Sequence, residues 1–85
     1  MQDEFYTVII KQNCPYSIDA VALLKKNKKK HKVIDYFKLS EKIKKEISKV
    51  IKEQNNNVEY SYHPKIFKND EFIGGFDKLS KILTK

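Results

Sequence analysis

The chain has 85 residues, 18 of them basic and 11 acidic, for a formal charge of +7 carried by lysine without any arginine. That length leaves room for one small domain over residues 1–85, which would bury only about 60% of its unfolded surface, and none for a second. A hydrophobic content of 40% with five Phe and five Tyr excludes a disordered chain, no run approaches a membrane span, and the missing arginine argues against sequence-specific nucleic-acid recognition. The acidic start Met1-Gln2-Asp3-Glu4 does not resemble a signal peptide, so a cytoplasmic protein without a membrane or specific nucleic-acid partner is expected.

Phe5-Tyr6-Thr7-Val8-Ile9-Ile10 is a β-branched and aromatic run of the kind buried on both faces of a sheet, and reads as the central strand. After Lys11-Gln12-Asn13-Cys14, Pro15 suits the first turn of a helix, where its missing N–H costs nothing. Ile18, Val21, Ala22 and Leu24 then fall near helical spacing. The run Lys25-Lys26-Asn27-Lys28-Lys29-Lys30-His31-Lys32 suits that helix's end, where cations offset the dipole, although it would also attract a polyanion. Val33 to Phe37 is a second strand, and strand, helix, strand makes a right-handed parallel unit.

Ser40 followed by Ile43, Ile47, Val50 and Ile51 gives an N-cap and an apolar stripe, a second helix that ends near Asn55-Asn56-Asn57. Val58 to His63 is irregular or extended up to Pro64. Lys65 to Lys68, Asn69-Asp70 and Glu71 to Ile73 form a hairpin, because Asn and Asp tolerate the positive φ of a tight turn. Gly74-Gly75 permits an unusual backbone path, and Leu79, Ile82 and Leu83 fit a closing helix. The order β-α-β-α-β-β-α implies an α/β domain: a four-stranded mixed sheet flanked by three helices on its two faces.

One cysteine cannot form an internal disulfide, which leaves Cys14 as a structural thiol, a metal ligand or a reactive group. At a strand-to-helix junction it faces unpaired helix N–H groups, which lower a thiol from about 8.5 to as little as about 3.5–7.5. Lys11 adds positive charge, and the polar or turn-forming neighbours Asn13, Pro15, Tyr16 and Ser17 favour reactivity over burial. No metal is expected, since His31 and His63 stand too far from Cys14 in sequence for a recognised zinc spacing.

Lys11 with Cys14-Pro15-Tyr16-Ser17, then His63-Pro64-Lys65-Ile66-Phe67, then Phe72-Ile73-Gly74-Gly75-Phe76-Asp77, resemble the glutaredoxins in order, spacing and context over essentially the whole chain. The resemblance implies a thioredoxin fold with Cys14 as nucleophile and glutathione as co-substrate. It implies that Lys11 pairs with a glutathione carboxylate, that Pro15 and Tyr16 flank the ligand, and that a cis Pro64 presents the backbone of His63 to it. Gly74, Gly75, Phe76 and Asp77 resemble the loop that holds the γ-glutamyl end. Three positions depart from the family pattern. Ser17 stands where dithiol members carry a second cysteine, so it is either a hydrogen-bond donor to the Cys14 thiolate or a replacement for that cysteine. His63 replaces a more usual threonine, and Lys78 stands where many members place an acid.

These residues imply reduction of glutathione mixed disulfides, of proteins or small molecules, by a monothiol mechanism in a monomer. Two alternatives remain from the sequence. One is an iron–sulfur carrier in which two copies each supply Cys14 alongside two glutathiones. The other is a non-catalytic module that binds a partner or polyanion through its lysines. Tyr60 and Tyr62, near His63, either pack against the sheet or line the groove.

Overall fold

The computed structural model describes residues 4–84, so Met1-Gln2-Asp3 and Lys85, the two ends of the expected 1–85 domain and most of its acidic start, lie outside the described residues. The β-branched run Phe5–Ile10 forms β1, and Pro15–Lys26 forms α1 with Cys14 as its N-cap and proline at its first turn. β2 (Lys30–Asp35) is followed by a short 3₁₀ turn at Tyr36–Lys38, then by α2 (Glu41–Gln54), whose N-cap Ser40 accepts the Ile43 N–H at 3.2 Å. β3 (Lys65–Lys68), β4 (Glu71–Gly74) and α3 (Phe76–Leu83) complete the expected order. Among the described residues no helix is long and apolar enough to cross a membrane.

Local chemistry ends the helices. Lys28 and Asn56 take φ of 55° just beyond α1 and α2, and the following N–H groups of Lys29 and Asn57 close on Leu24 and Lys52 carbonyls at 3.0 and 2.9 Å. Both ends are Schellman motifs, and the second explains why the Asn55-Asn56-Asn57 run stops the helix. Asn69 turns the hairpin at φ 54° and is pinned to β1 by two hydrogen bonds with the Phe5 backbone.

The sheet runs β2-β1-β3-β4, with β1 parallel to β2 and antiparallel to β3, and β3 antiparallel to β4. Alternation along β1 divides the core between the two faces. Tyr6 and Val8 pack with Ala20, Leu24, Ile66 and Leu79 under α1 and α3, whereas Ile9 packs with Ile51 and Phe67 under α2.

Two sequence expectations shift. β2 begins three residues earlier and ends two earlier than Val33–Phe37, because the register Phe5↔Lys30 to Ile10↔Asp35 matches the full length of β1. The lysine run is therefore divided between the last turn of α1 and the strand. Of the expected α1 stripe, Leu24 is buried and Val21 packs partly buried against the same cluster, but Ile18, 64% exposed, and Ala22 face outward, and Ser17 and Ala20 are buried in their place. α1 must cover both the sheet and α3, and that demand rotates its apolar side chains away from the phase that spacing alone suggests.

Candidate active site

Cys14 sits at the seam between β1 and α1, partly exposed, with φ −101° and ψ 115°. Its own carbonyl is used as an N-cap acceptor for Ser17 and Ile18 N–H at 3.0 and 3.2 Å. The sulfur faces the donors of the first turn. The Ser17 N–H, the Ser17 hydroxyl and the Tyr16 N–H, with smaller help from the Lys11 charge, hold the thiol below its usual range against a partial desolvation penalty. Ser17 is 2% exposed, and its hydroxyl oxygen also accepts the Lys11 N–H at 3.4 Å. A serine at this position is therefore wedged between the strand end and the sulfur. Ser17→Ala removes the hydroxyl donor while keeping the backbone one. The pH midpoint for alkylation of Cys14 should then rise while staying below that of a free cysteine; an unchanged midpoint would contradict the hydroxyl's role.

Opposite Cys14 lies the turn before β3. The His63–Pro64 peptide is cis, Pro64 is fully buried, and the Cys14 thiol points at the His63 carbonyl at 3.9 Å. The His63 ring turns the other way. It meets the Tyr36 ring edge-on at 5.0 Å, and its buried Nε2 has no hydrogen-bond partner among the described residues. Burial, then the Lys65 and Lys11 charges, hold its pKa down to about 4. Folded protein thus binds fewer protons here than unfolded protein between pH 6.5 and about 4, so the stability present above pH 6.5 is lost as pH falls through that window. His63→Phe should flatten this part of the stability profile, measured as the urea midpoint at pH 7 and pH 5; an unaltered profile would mean that other groups set it.

Lys65 is the least expected residue of this corner. It is 4% exposed, and its ammonium donates to the Tyr62 carbonyl at 2.9 Å between the rings of Tyr36 and Tyr60, each 5.6 Å away. Burial lowers its pKa. The amine thereby ties the Tyr62–Pro64 turn to two aromatic side chains rather than to a carboxylate.

From this turn a groove of about 520 Å³ runs along the sheet end to the start of α3, within the roughly 300–1,000 Å³ of small-molecule sites. Tyr16, His63, Gly74, Gly75, Phe76 and Asp77 all line it, so these six sequence candidates come together. Tyr16 leans on Phe76 with ring centroids 6.2 Å apart. Cys14, Lys11, Pro15, Ser17 and Pro64 are not among the lining residues; Cys14 stands beside the groove, and Lys11 and Ser17 face the other side of the active-site turn. Gly74 has φ +116°, a left-handed conformation that side chains rarely adopt. At Gly75 the reason is space: a Cβ would collide with the Tyr60 hydroxyl and stand 3.5 Å from the Pro64 carbonyl.

Gln54 and Asn55 line the groove although sequence reasoning gave neither a place in the site. Gln54, at the end of α2, accepts the Phe72 N–H at 2.7 Å and donates to the Asp70 carbonyl at 3.1 Å, so it locks the hairpin against the helix and forms part of the groove wall. Its position on the α2 stripe was the only signal for it. Tyr60 takes both roles weighed for it: it stacks edge-on against Phe72 at 5.1 Å and lines the groove, while Tyr62, 72% exposed, lines it alongside. Lys78 lines the α3 end beside Asp77.

A family model described as Glutaredoxin matches residues 6–73, well over half of the chain. Among solved structures, glutaredoxin 1 from Francisella tularensis, complexed with cacodylate, is 25% identical at a TM-score of 0.63, covering 96% of this chain and 99% of that one. A wheat glutaredoxin is 25% identical at a TM-score of 0.65, over 93% of this chain and 81% of that one. A glutaredoxin from Archaeoglobus fulgidus shares the fold at a TM-score of 0.66 and 20% identity, over 94% of this chain and 85% of that one. No curated protein matches the sequence significantly. The three neighbours share the thioredoxin fold whose four strands and three helices are described above.

Proposed function

The chain belongs to the glutaredoxin family of thiol–disulfide oxidoreductases, and from that premise we propose that it reduces glutathione mixed disulfides by a monothiol mechanism with Cys14 as nucleophile. The observation that carries the proposal is the partly exposed Cys14 sulfur, held toward its thiolate form by the Ser17 and Tyr16 donors, beside a groove of small-molecule size. The Cys14 thiolate attacks the glutathionyl sulfur of a mixed disulfide. The new bond joins Cys14 to glutathione, the old disulfide breaks, and the substrate leaves as a thiolate that takes a proton from water. A second glutathione thiolate then attacks the glutathionyl sulfur, leaves as oxidised glutathione and frees the Cys14 thiolate. The reducing equivalent comes from the incoming glutathione, whose sulfur is oxidised into the new disulfide as the substrate sulfur is reduced to a thiol, while the glutathionyl sulfur stays at the disulfide level throughout. Because attack weakens as a thiolate becomes less basic, a thiol lowered moderately rather than to an extreme serves both steps.

In this proposal Tyr16, Pro15, His63 and Pro64 flank the glutathione sulfur, and Lys11 supplies a cation for one carboxylate. Gly74, Gly75, Phe76 and Asp77 receive the γ-glutamyl end, where the first N–H groups of α3 can bind a carboxylate. The His63 side chain, turned onto Tyr36, leaves the backbone of that residue to face Cys14. Ser17 acts on the thiolate as a donor. The domain, taken as residues 1–85, works as a monomer in the cytoplasm, on glutathionylated proteins or small disulfides, with no metal. The test is turnover of cysteine–glutathione disulfide in the presence of reduced glutathione, followed as oxidised glutathione formed. Release at or below the uncatalysed rate, under conditions where a dithiol glutaredoxin works, would overturn the proposal.

A further inference from the structure

The unexpected rotation of α1 leaves an apolar surface beside Cys14. A second cleft, of about 390 Å³, is lined by Ile18, Val21, Ala22 and Lys25 of α1, Val33 of β2 and Lys11. It reaches the active-site turn itself, since Asn13 and Ser17, on either side of Cys14 in the chain, also line it. Ile18 is 64% and Val33 44% exposed, although both are aliphatic. Among the described residues that line the cleft none is acidic, and the two charged ones are lysines. β2 is the outer strand of the sheet, so the cleft lies along an edge.

We infer that this cleft docks an acidic, aliphatic polypeptide segment of the protein whose disulfide reaches Cys14. The inference rests on the proposed function, for it names the class of substrate that the same sulfur would serve. Charge decides between occupants. A second copy would bring another +7 chain and the same two lysines onto the face, so like charges would meet. A carbon-lined cleft without arginine offers a nucleic acid neither base recognition nor stacking. Leucine or valine side chains fill such a cleft, and flanking carboxylates meet Lys11 and Lys25. Ile18 is one helical turn from the N-cap, so a segment seated on it holds its glutathionylated cysteine beside the active-site turn, with the glutathionyl sulfur left for Cys14 to attack.

The test titrates the protein with a synthetic peptide bearing leucines and aspartates around one cysteine, held reduced, and follows the methyl signals of Ile18, Val21 and Val33 by NMR. Those signals should shift, and a matched peptide with lysines for the aspartates should bind at least about tenfold more weakly. Ile18→Ser and Lys25→Glu should each weaken binding of the acidic peptide by about five- to tenfold. Absence of methyl shifts, equal binding of the two peptides, shifts confined to the groove of Tyr16 and Phe76, or affinity unchanged by both substitutions would each overturn the inference. Turnover of cysteine–glutathione disulfide is read separately and should be at the wild-type level in both variants. Failure of the wild-type protein in that assay overturns the enzymatic proposal, whereas the methyl shifts alone decide the docking.

Discussion

A Cys14→Ser protein is expected to release oxidised glutathione from mixed disulfides no faster than the buffer alone. The chain holds no other cysteine, so no second thiol can take over, and a serine hydroxyl at neutral pH has neither the anionic fraction nor the soft sulfur that disulfide exchange requires. Cys14 does not belong to either buried cluster, and its cap function uses its carbonyl rather than its sulfur. The substitution should accordingly change stability by no more than about 0.5 kcal/mol. Activity and folding therefore separate: urea denaturation should superimpose on that of the unaltered protein while turnover vanishes. Residual turnover above background would show that Cys14 is not the nucleophile, and a large loss of stability would show that the sulfur has a packing role.

The largest effect on stability is expected from Leu24→Ala. Leu24 is fully buried under α1 in contact with the cluster of Tyr6, Val8, Ala20, Ile66 and Leu79, and a Leu→Ala change at such a site costs about 2–5 kcal/mol. A small domain has roughly 5–15 kcal/mol in total, and one of this length lies toward the lower part of that range. The variant should show a much lower urea midpoint and be partly unfolded on mild warming. Ile18→Ala, on the same helix but 64% exposed, should cost no more than about 0.5 kcal/mol. The pair measures the rotation of α1 directly. Equal costs at the two positions would mean that the helix presents the face suggested by its spacing rather than the one described here.

That rotation marks a boundary of what could be read in advance. The α2 helix was legible because Ser40 caps it and Ile43, Ile47, Val50 and Ile51 repeat over its 14 residues, although only Ile51 is buried with Ile47 packed beside it, and Ile43 and Val50 stay 43% and 41% exposed. α1 is shorter and touches both the sheet and α3, so two contacts compete for its phase and no single apolar stripe records the outcome. Lys65 was illegible for a related reason. A lysine in a four-residue strand reads as solvent-facing, yet here its amine finds the Tyr62 carbonyl and the Tyr60 ring just upstream and the Tyr36 ring of a segment distant in sequence. The groove shows both situations: Gly74 to Asp77 were visible as a paired glycine before a helix and Tyr62 was weighed as a lining residue beside His63, while Gln54 belongs to it only because the end of α2 meets the hairpin.

By itself the sequence determined the order of the elements, the helix ends, the hairpin turn and the placing of a lone thiol at a helix start. Each of these depends on neighbours within a few residues: Pro15 at the first turn, Ser40 at a cap, Asn56 and Asn69 at positive φ, the β-branched and aromatic run of β1. The tertiary structure alone decided which face of α1 is buried, that the His63 ring leaves the groove side for Tyr36, that Lys65 is enclosed, and that an aliphatic cleft stays open beside Cys14. Those outcomes come from contacts between segments far apart in the chain, whose strength depends on complementary shape across the sheet and is not recorded in the periodicity of either segment.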